Sequence, residues 1–186
     1  MKRTLSILML AGLLAGCATG DAPPLESAPP PVATTDFTLG PADKVRVIVF
    51  GEDNLSGEFT ISPAGNVALP LVGEVHAQGQ TPSGLQRNIA AKLAQGYIHD
   101  PRVSVEVLSY RPFYVLGEVN KPGVYPYEVG LTVEMAVATA QGYTYRANER
   151  QVFIKHVGDN REHRYRVDSS TPVAPGDVLR VSERYF

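Results

Sequence analysis

The sequence predicts an α+β protein made of two small mixed domains, each a set of short strands around one short helix. Three internal echoes lead to this. Val72-Gly73-Glu74-Val75 and Leu116-Gly117-Glu118-Val119 share an apolar-Gly-Glu-Val core, and each reaches another glycine, Gly79 or Gly123, after three residues. Thr81-Pro82 and Thr132 each open a short helical pattern. Pro41-Ala42-Asp43-Lys44-Val45-Arg46-Val47 and Pro175-Gly176-Asp177-Val178-Leu179-Arg180-Val181 each read as a Pro-x-Asp turn entering an edge strand. A length of 186 residues accommodates one domain or two small ones. With 44% hydrophobic and 19% charged residues, the chain can build packed cores. The 17 glycines and 15 prolines point to many turns and short strands. A net charge of -2 supplies no basic field for nucleic acid.

Residues 1–17 read as an address. Lys2 and Arg3 precede an apolar run from Leu5 to Leu14 that is too short to cross a bilayer as a helix. Leu14-Ala15-Gly16-Cys17 resembles the bacterial lipobox, where cleavage leaves a cysteine that carries a diacylglycerol. Cys17 is the single cysteine, so its lipidation leaves no thiol for a disulfide, redox or metal role. By resemblance to lipoprotein sorting, Ala18 in place of an aspartate implies the outer membrane. A multi-chain lipid anchor is stable there, at about 0.8 kcal/mol per buried methylene. Residues 18–35, with Ala22-Pro23-Pro24 and Ala28-Pro29-Pro30-Pro31, read as an extended tether.

The first domain is expected over residues 36–109. Lys44 to Phe50 is a strand with Val45, Val47 and Val49 on one face, and Glu58 to Ile61 is a second. Ser62-Pro63-Ala64-Gly65-Asn66 is a turn, and Val67 to Leu71 returns to the sheet. Thr81 caps a helix with proline at its first position; Leu85, Ile89 and Leu93 give it one buried stripe, and Gly96 stops it. Arg102 to Val107 alternates with three valines facing inward.

The second domain is expected over residues 110–186, opening with the strand Phe113 to Leu116. Each apolar-Gly-Glu-Val stretch reads as a strand, a tight turn and a return, with glycine serving a positive φ or a close approach. Thr132 caps a helix from Val133 to Gln141 that buries Val133, Ala136, Val137 and Ala140, and Gly142 ends it. Glu134 in its first turn suits the helix dipole. Gln151 to Val157 and Glu162 to Val167 flank the turn Gly158-Asp159-Asn160 as a hairpin.

Catalytic motifs are lacking: there is no Gly-x-Ser-x-Gly, phosphate-binding loop or His-Glu-x-x-His. An enzyme is not expected, nor a metal or cofactor. If the hairpin pairs residue 155 with 163, or 156 with 162, then His156 and His163 do not converge; they read, like His76 and His99, as surface histidines. Asp43, Glu52, Asp53, Glu58, Asp100 and Asp177 read as turn caps and solvated groups. Lys44, Arg46 and Arg102 read as solvated charges. Tyr125, Tyr127, Tyr143 and Tyr145 cluster around the second helix, as sugar or interface contacts or as packing.

Several pieces together carry a resemblance. Leu39-Gly40-Pro41-Ala42-Asp43, Ser62-Pro63-Ala64-Gly65, Leu69-Pro70-Leu71-Val72-Gly73-Glu74-Val75, Gly79-Gln80-Thr81-Pro82 and Asp100-Pro101-Arg102-Val103-Ser104-Val105 resemble the export domain of the bacterial polysaccharide export lipoproteins. Val115 to Val119, Lys121-Pro122-Gly123-Val124-Tyr125 and the helix after Thr132 resemble the β-grasp-like module called SLBB. Gln141-Gly142 stands where the family usually has two glycines.

The resemblance implies a lipid-anchored outer-membrane component, facing the periplasm, of a capsule or exopolysaccharide export apparatus. It implies a homo-oligomeric ring or conduit, an inner-membrane polysaccharide copolymerase as partner, and polysaccharide as cargo. The chain reads as a short form lacking the C-terminal membrane helix of longer relatives, which implies a separate outer-membrane porin. The alternative is a non-conducting periplasmic adaptor or ligand-binding lipoprotein that binds sugar or a partner protein.

Overall fold

The computed structural model describes residues 24–26 and 37–184. The expected signal peptide with Cys17, and most of the expected tether, lie outside the described residues. The described part is an α+β fold of two domains, each with its own core.

In the first domain, β2 (Lys44–Val49) sits between β3 (Gly57–Thr60) and β6 (Val103–Ser109), antiparallel to both. The alternation of β2 is realised: Val45, Val47 and Val49 are buried, while Lys44, Arg46 and Ile48 face solvent. Between β3 and β6 come a separate hairpin, β4 (Asn66–Leu69) with β5 (Gly73–His76), and the helix α1 (Pro82–Leu93). The Thr81 hydroxyl accepts the Gly84 N–H at 3.1 Å, satisfying one of the free donors at the start of α1. Leu85, Ile89 and Leu93, each within 1% of complete burial, lay this helix against β6 and β5. Burying a leucine-sized side chain contributes about 1.5–3 kcal/mol, so this stripe and the three valines of β2 form the centre of the domain.

The second domain is a six-stranded mixed sheet in the order β1-β10-β9-β11-β7-β8. Its strands are β1 (Leu25–Glu26), β7 (Phe113–Gly117), β8 (Gly123–Tyr125), β9 (Ala147–Lys155), β10 (His163–Arg166) and β11 (Val178–Glu183). β7 and β11 run parallel at its middle. The helix α2 (Val133–Thr139) contributes Val133, Ala136 and Val137, with the cap residue Ala140, to a core shared with Phe113, Val115, Val152, Ile154, Leu179 and Val181. Its cap is as expected, with the Thr132 hydroxyl accepting from the Met135 N–H. Past the helix end, both Gln141 (φ 66°) and Gly142 (φ 85°) adopt positive φ, so the glutamine occupies a conformation that glycine takes more cheaply.

Sequence alone puts β2 and β11 at sheet edges, and the structure corrects this: both are central strands. Alternation reports which faces are buried; it carries no information about hydrogen-bonding neighbours on either side.

The two apolar-Gly-Glu-Val stretches also differ in geometry. Gly73 follows the turn at Pro70 to Val72 and opens β5, whereas Gly117 closes β7. Gly73 has φ 69° and open space around its α-carbon; Gly117 has φ 86° and a β-carbon there would overlap the Val181 carbonyl oxygen of β11. Gly73→Ala is therefore expected to lower stability by about 1 kcal/mol, through backbone strain alone. Gly117→Ala should lower it by more than about 2 kcal/mol, because the parallel pairing with β11 must also shift. Urea denaturation of the two variants checks the ranking.

Candidate functional site

The Pro-x-Asp echo builds the same turn twice. Asp43 N–H donates to the Gly40 carbonyl at 3.1 Å, and Asp177 N–H to the Ala174 carbonyl at 3.2 Å. In each turn proline precedes a residue with positive φ, Ala42 at 72° and Gly176 at 85°. In each, one aspartate oxygen accepts the N–H three residues back, from Gly40 or Ala174, at 2.8 Å. Both aspartates are buried. They cap turns as expected but are not solvated, and each uses its other contacts to hold a different group.

Asp43 holds Arg111. The Arg111 N–H donates to Asp43 Oδ1 at 2.6 Å and its guanidinium donates to Oδ2 at 2.9 Å. Arg111 lies in the three-residue linker between β6 and β7, so this carboxylate joins the first domain to the start of the second. The guanidinium rests between the two turns. A β-carbon at Gly40 would lie 2.5 Å from Arg111 Nη1, and one at Gly176 would lie 2.9 Å from Nε. Burial pushes the Asp43 carboxyl above its ordinary value, against the opposing pull of the Arg111 and Gly40 N–H groups and the guanidinium.

Next to it Phe37, Tyr110 and Tyr127 meet edge to face, with centroids 5.6–6.0 Å apart. Phe37 stands at the start of the first domain in sequence yet packs in the core of the second.

Asp177 holds His156. Its Oδ1 is 3.0 Å from His156 Nδ1, and His156 Nε2 is 3.2 Å from the Tyr165 hydroxyl. His163 stacks on Tyr165, with Nδ1 2.9 Å from Glu26 Oε1 and Nε2 2.6 Å from Asp159 Oδ2. The two imidazoles lie 6.1 Å apart between centroids. This corrects the expectation that they diverge. The hairpin pairs His163 with Ile154, one residue from the expected register, and such a slip moves a side chain to the other face. The bond to Asp177 raises the His156 pKa; the bonds to Glu26 and then Asp159 raise that of His163. The Arg161 N–H and His163 hold the Asp159 carboxyl below its ordinary value.

The four tyrosines are distributed between core and surface. Tyr127 is buried, hydroxyl included, and burial pushes its pKa up to about 12. Tyr143 and Tyr125 pack against the same core, and the Tyr125 hydroxyl donates to the Lys121 carbonyl at 2.6 Å. Tyr145 is 83% exposed and is the one of the four that presents its ring to solvent.

Elsewhere on the surface, Tyr114, Leu116 and Val124 expose an apolar strip across β7 and the edge strand β8, with Tyr114 paired to Val124. An open concavity of about 550 Å³ runs beside β9, with Asn148, Arg150, Gln151 and Arg166 in its lining and Leu25 at one side. Lys44 and Arg46 are exposed as expected, and Arg46 pairs with Glu58 at 2.8 Å. No cluster of metal-ligating side chains forms among the described residues.

Two domain families match the chain in order. Residues 31–108 match the polysaccharide biosynthesis/export protein family, and residues 112–164 match the SLBB domain. The chain therefore carries an export-type domain followed by an SLBB module. Its boundary between matches falls at residues 109–111, where Tyr110 and Arg111 make the interdomain contacts. The chain is also 37% identical, over 122 residues, to the exopolysaccharide production protein ExoF of Rhizobium meliloti (strain 1021). That match covers 64% of this chain and 24% of the relative, so the chain spans about a quarter of that relative's length.

Sequence reasoning missed Arg111 and Phe37. Neither carries a motif, and their importance follows from which turns the fold brings together.

Two measurements test this region. Arg111→Met leaves a buried carboxylate without its cation and is expected to cost about 3 kcal/mol, splitting one thermal transition into two as the domains uncouple. Calorimetry reads both effects. The histidines give the second. Their folded pKa values are raised above the ordinary 6.5, so their stabilisation is complete below that value and is lost as pH rises through the raised ones. The Tm should fall as pH rises above the ordinary histidine value, and fall less in the His156→Gln/His163→Gln double variant.

Proposed function

We propose that this protein is a lipid-anchored, periplasm-facing component of an exopolysaccharide export apparatus at the outer membrane, and that copies of it form a ring or conduit for the polymer. The match to an export domain followed by an SLBB domain, in that order and over most of the described chain, is the observation that carries this reading. Likeness to an exopolysaccharide production protein supports exopolysaccharide as the cargo.

The geometry supports a building block. A three-residue linker, a buried ion pair and an aromatic trio hold the two domains in one orientation, and a fixed orientation suits repetition around an axis. The apolar strip of Tyr114, Leu116 and Val124 beside the free edge of β8 suits contact with a neighbouring copy. The open concavity beside β9, with Asn148, Arg150, Gln151 and Arg166 in its lining, suits weak contact with a hydrated polymer. The anchor in this reading is Cys17, within a lipobox-like Leu14-Ala15-Gly16-Cys17. The partners are an inner-membrane copolymerase and a separate outer-membrane porin. Residue boundaries at 17, 35 and 109 divide the chain into signal, tether, export domain and SLBB domain. In this reading Tyr145 is the tyrosine that contacts sugar or a neighbour, while Tyr125, Tyr127 and Tyr143 shape the module behind it.

Light scattering on the detergent-extracted lipidated protein, with negative-stain images of the same peak, is expected to show a closed ring of many subunits. Leu116→Glu with Val124→Glu should shift that mass toward the monomer without altering the circular dichroism. A wild-type monomer at high concentration that the copolymerase does not assemble would sink the ring.

A further inference from the structure

β1 is the shortest strand of the second domain. It comprises Leu25 and Glu26, which pair in parallel with Arg164 and Tyr165 of β10. Leu25 is 49% exposed, so little apolar burial holds it. Ordering even a two-residue segment has a backbone entropy cost comparable with the return from its few hydrogen bonds. The contact that decides whether β1 stays is the one made by the Glu26 carboxylate, at 2.9 Å from His163 Nδ1.

His163 is placed to feel its own charge. Its second nitrogen faces another carboxylate, Asp159, at 2.6 Å. Ionised carboxylates only accept hydrogen bonds, and a neutral imidazole has one N–H. Both contacts are therefore satisfied only by the doubly protonated ring. The other groups facing His163 are Tyr165 beneath it, His156 at 6.1 Å, and, through His156, the buried Asp177. A positive charge on His156 opposes one on His163, so the two titrate as a coupled pair.

When His163 loses its proton, one of its two carboxylates must face a lone pair. Asp159 is four residues away in the same hairpin, and its other oxygen accepts the Arg161 N–H at 3.0 Å. Among the described residues Glu26 has no such local restraint. The weaker attachment gives way.

We infer that Glu26, His163 and Asp159 form a proton-dependent latch that fastens the segment at Leu25–Glu26 to the edge of the second domain and releases it when His163 becomes neutral. Glu26 lies nine residues after Cys17 in sequence, and the next described residue is Phe37. At 3.3–3.6 Å per extended residue, release raises the maximum reach from Cys17 to the folded unit from about 30 Å to about 70 Å. That consequence rests on the lipid-anchor reading; the latch itself does not.

The test is NMR on the full mature chain. The ¹⁵N heteronuclear NOE of the Leu25 and Glu26 amides, read from about pH 5.5 to 8.5, is compared with the ring shifts of His163. The expected result is an ordered value for both amides at low pH, falling to that of a flexible chain with a midpoint matching the His163 titration. His163→Gln and Glu26→Gln should each remove this pH dependence, while the remaining amide spectrum stays that of the folded protein. His156→Gln should keep the transition and move its midpoint upward. Order at Leu25 and Glu26 that persists through the His163 titration, or a transition that survives His163→Gln, would overturn the latch. Neither outcome depends on ring formation or on lipid at Cys17, so failure of those readings would show separately.

Discussion

The arrangement of the two domains depends on one buried carboxylate. Asp43 closes its own turn through Gly40 and, with the same two oxygens, receives both the backbone and the side chain of Arg111. Removing such a carboxylate from water is expensive, and its attraction to a cation in the interior roughly offsets that expense rather than exceeding it. The ion pair therefore adds little net stability over an apolar replacement of the same shape. What it adds is directional. Only one placement of the second domain lets the linker N–H and the guanidinium both reach Asp43 while the guanidinium fits between Gly40 and Gly176. Phe37, Tyr110 and Tyr127 then supply the apolar burial that the charged contact lacks.

The repeated turn shows how one local device serves two ends. Both copies start a central strand, both bury the aspartate, and both place a positive φ before it. The first tolerates Ala42 at 72°, where the second has glycine at 85°. The difference has a spatial reason. A β-carbon at position 176 would meet Val157 Cγ2 at 2.5 Å as well as Arg111, so only glycine fits there. At Ala42 the strain is one of backbone conformation alone, of order 1 kcal/mol. The outward contact of each aspartate then sets its role: Asp43 binds the permanent cation of Arg111, Asp177 a titratable histidine.

Much of this fold was legible in the sequence. The valines of β2, the Leu85–Ile89–Leu93 stripe, and both threonine caps are local patterns with local causes, and they lie where those causes put them. What was not legible was relational. Alternation along β2 and β11 could not say that strands lie on both sides of each. The hairpin turn could not fix whether His163 opposes residue 154 or 155, and that single step decides whether two histidines meet or point apart. The tyrosines illustrate the same limit: composition left contact and packing both open, and the fold divides the four, with Tyr127 and Tyr143 hydroxyls buried and Tyr145 well exposed. Arg111 gave no sign at all, because its meaning arises when two turns from different domains approach each other.

The two kinds of attachment in this molecule are physically unlike. Between the domains there are three linker residues, a buried ion pair and three interlocked rings. Between the second domain and the segment at Leu25 there is a two-residue strand and a charge contact made through an imidazole. Under the proposed anchoring at Cys17, stress applied from that end would therefore meet the weak attachment long before the strong one. The pair of domains would move as a single body, and whatever adjusts its distance from the membrane would act at β1. For a subunit of the proposed ring this division would be useful. Curvature of a ring depends on angles within each subunit, which must not vary, while its height above a membrane can vary without disturbing a single contact between neighbours.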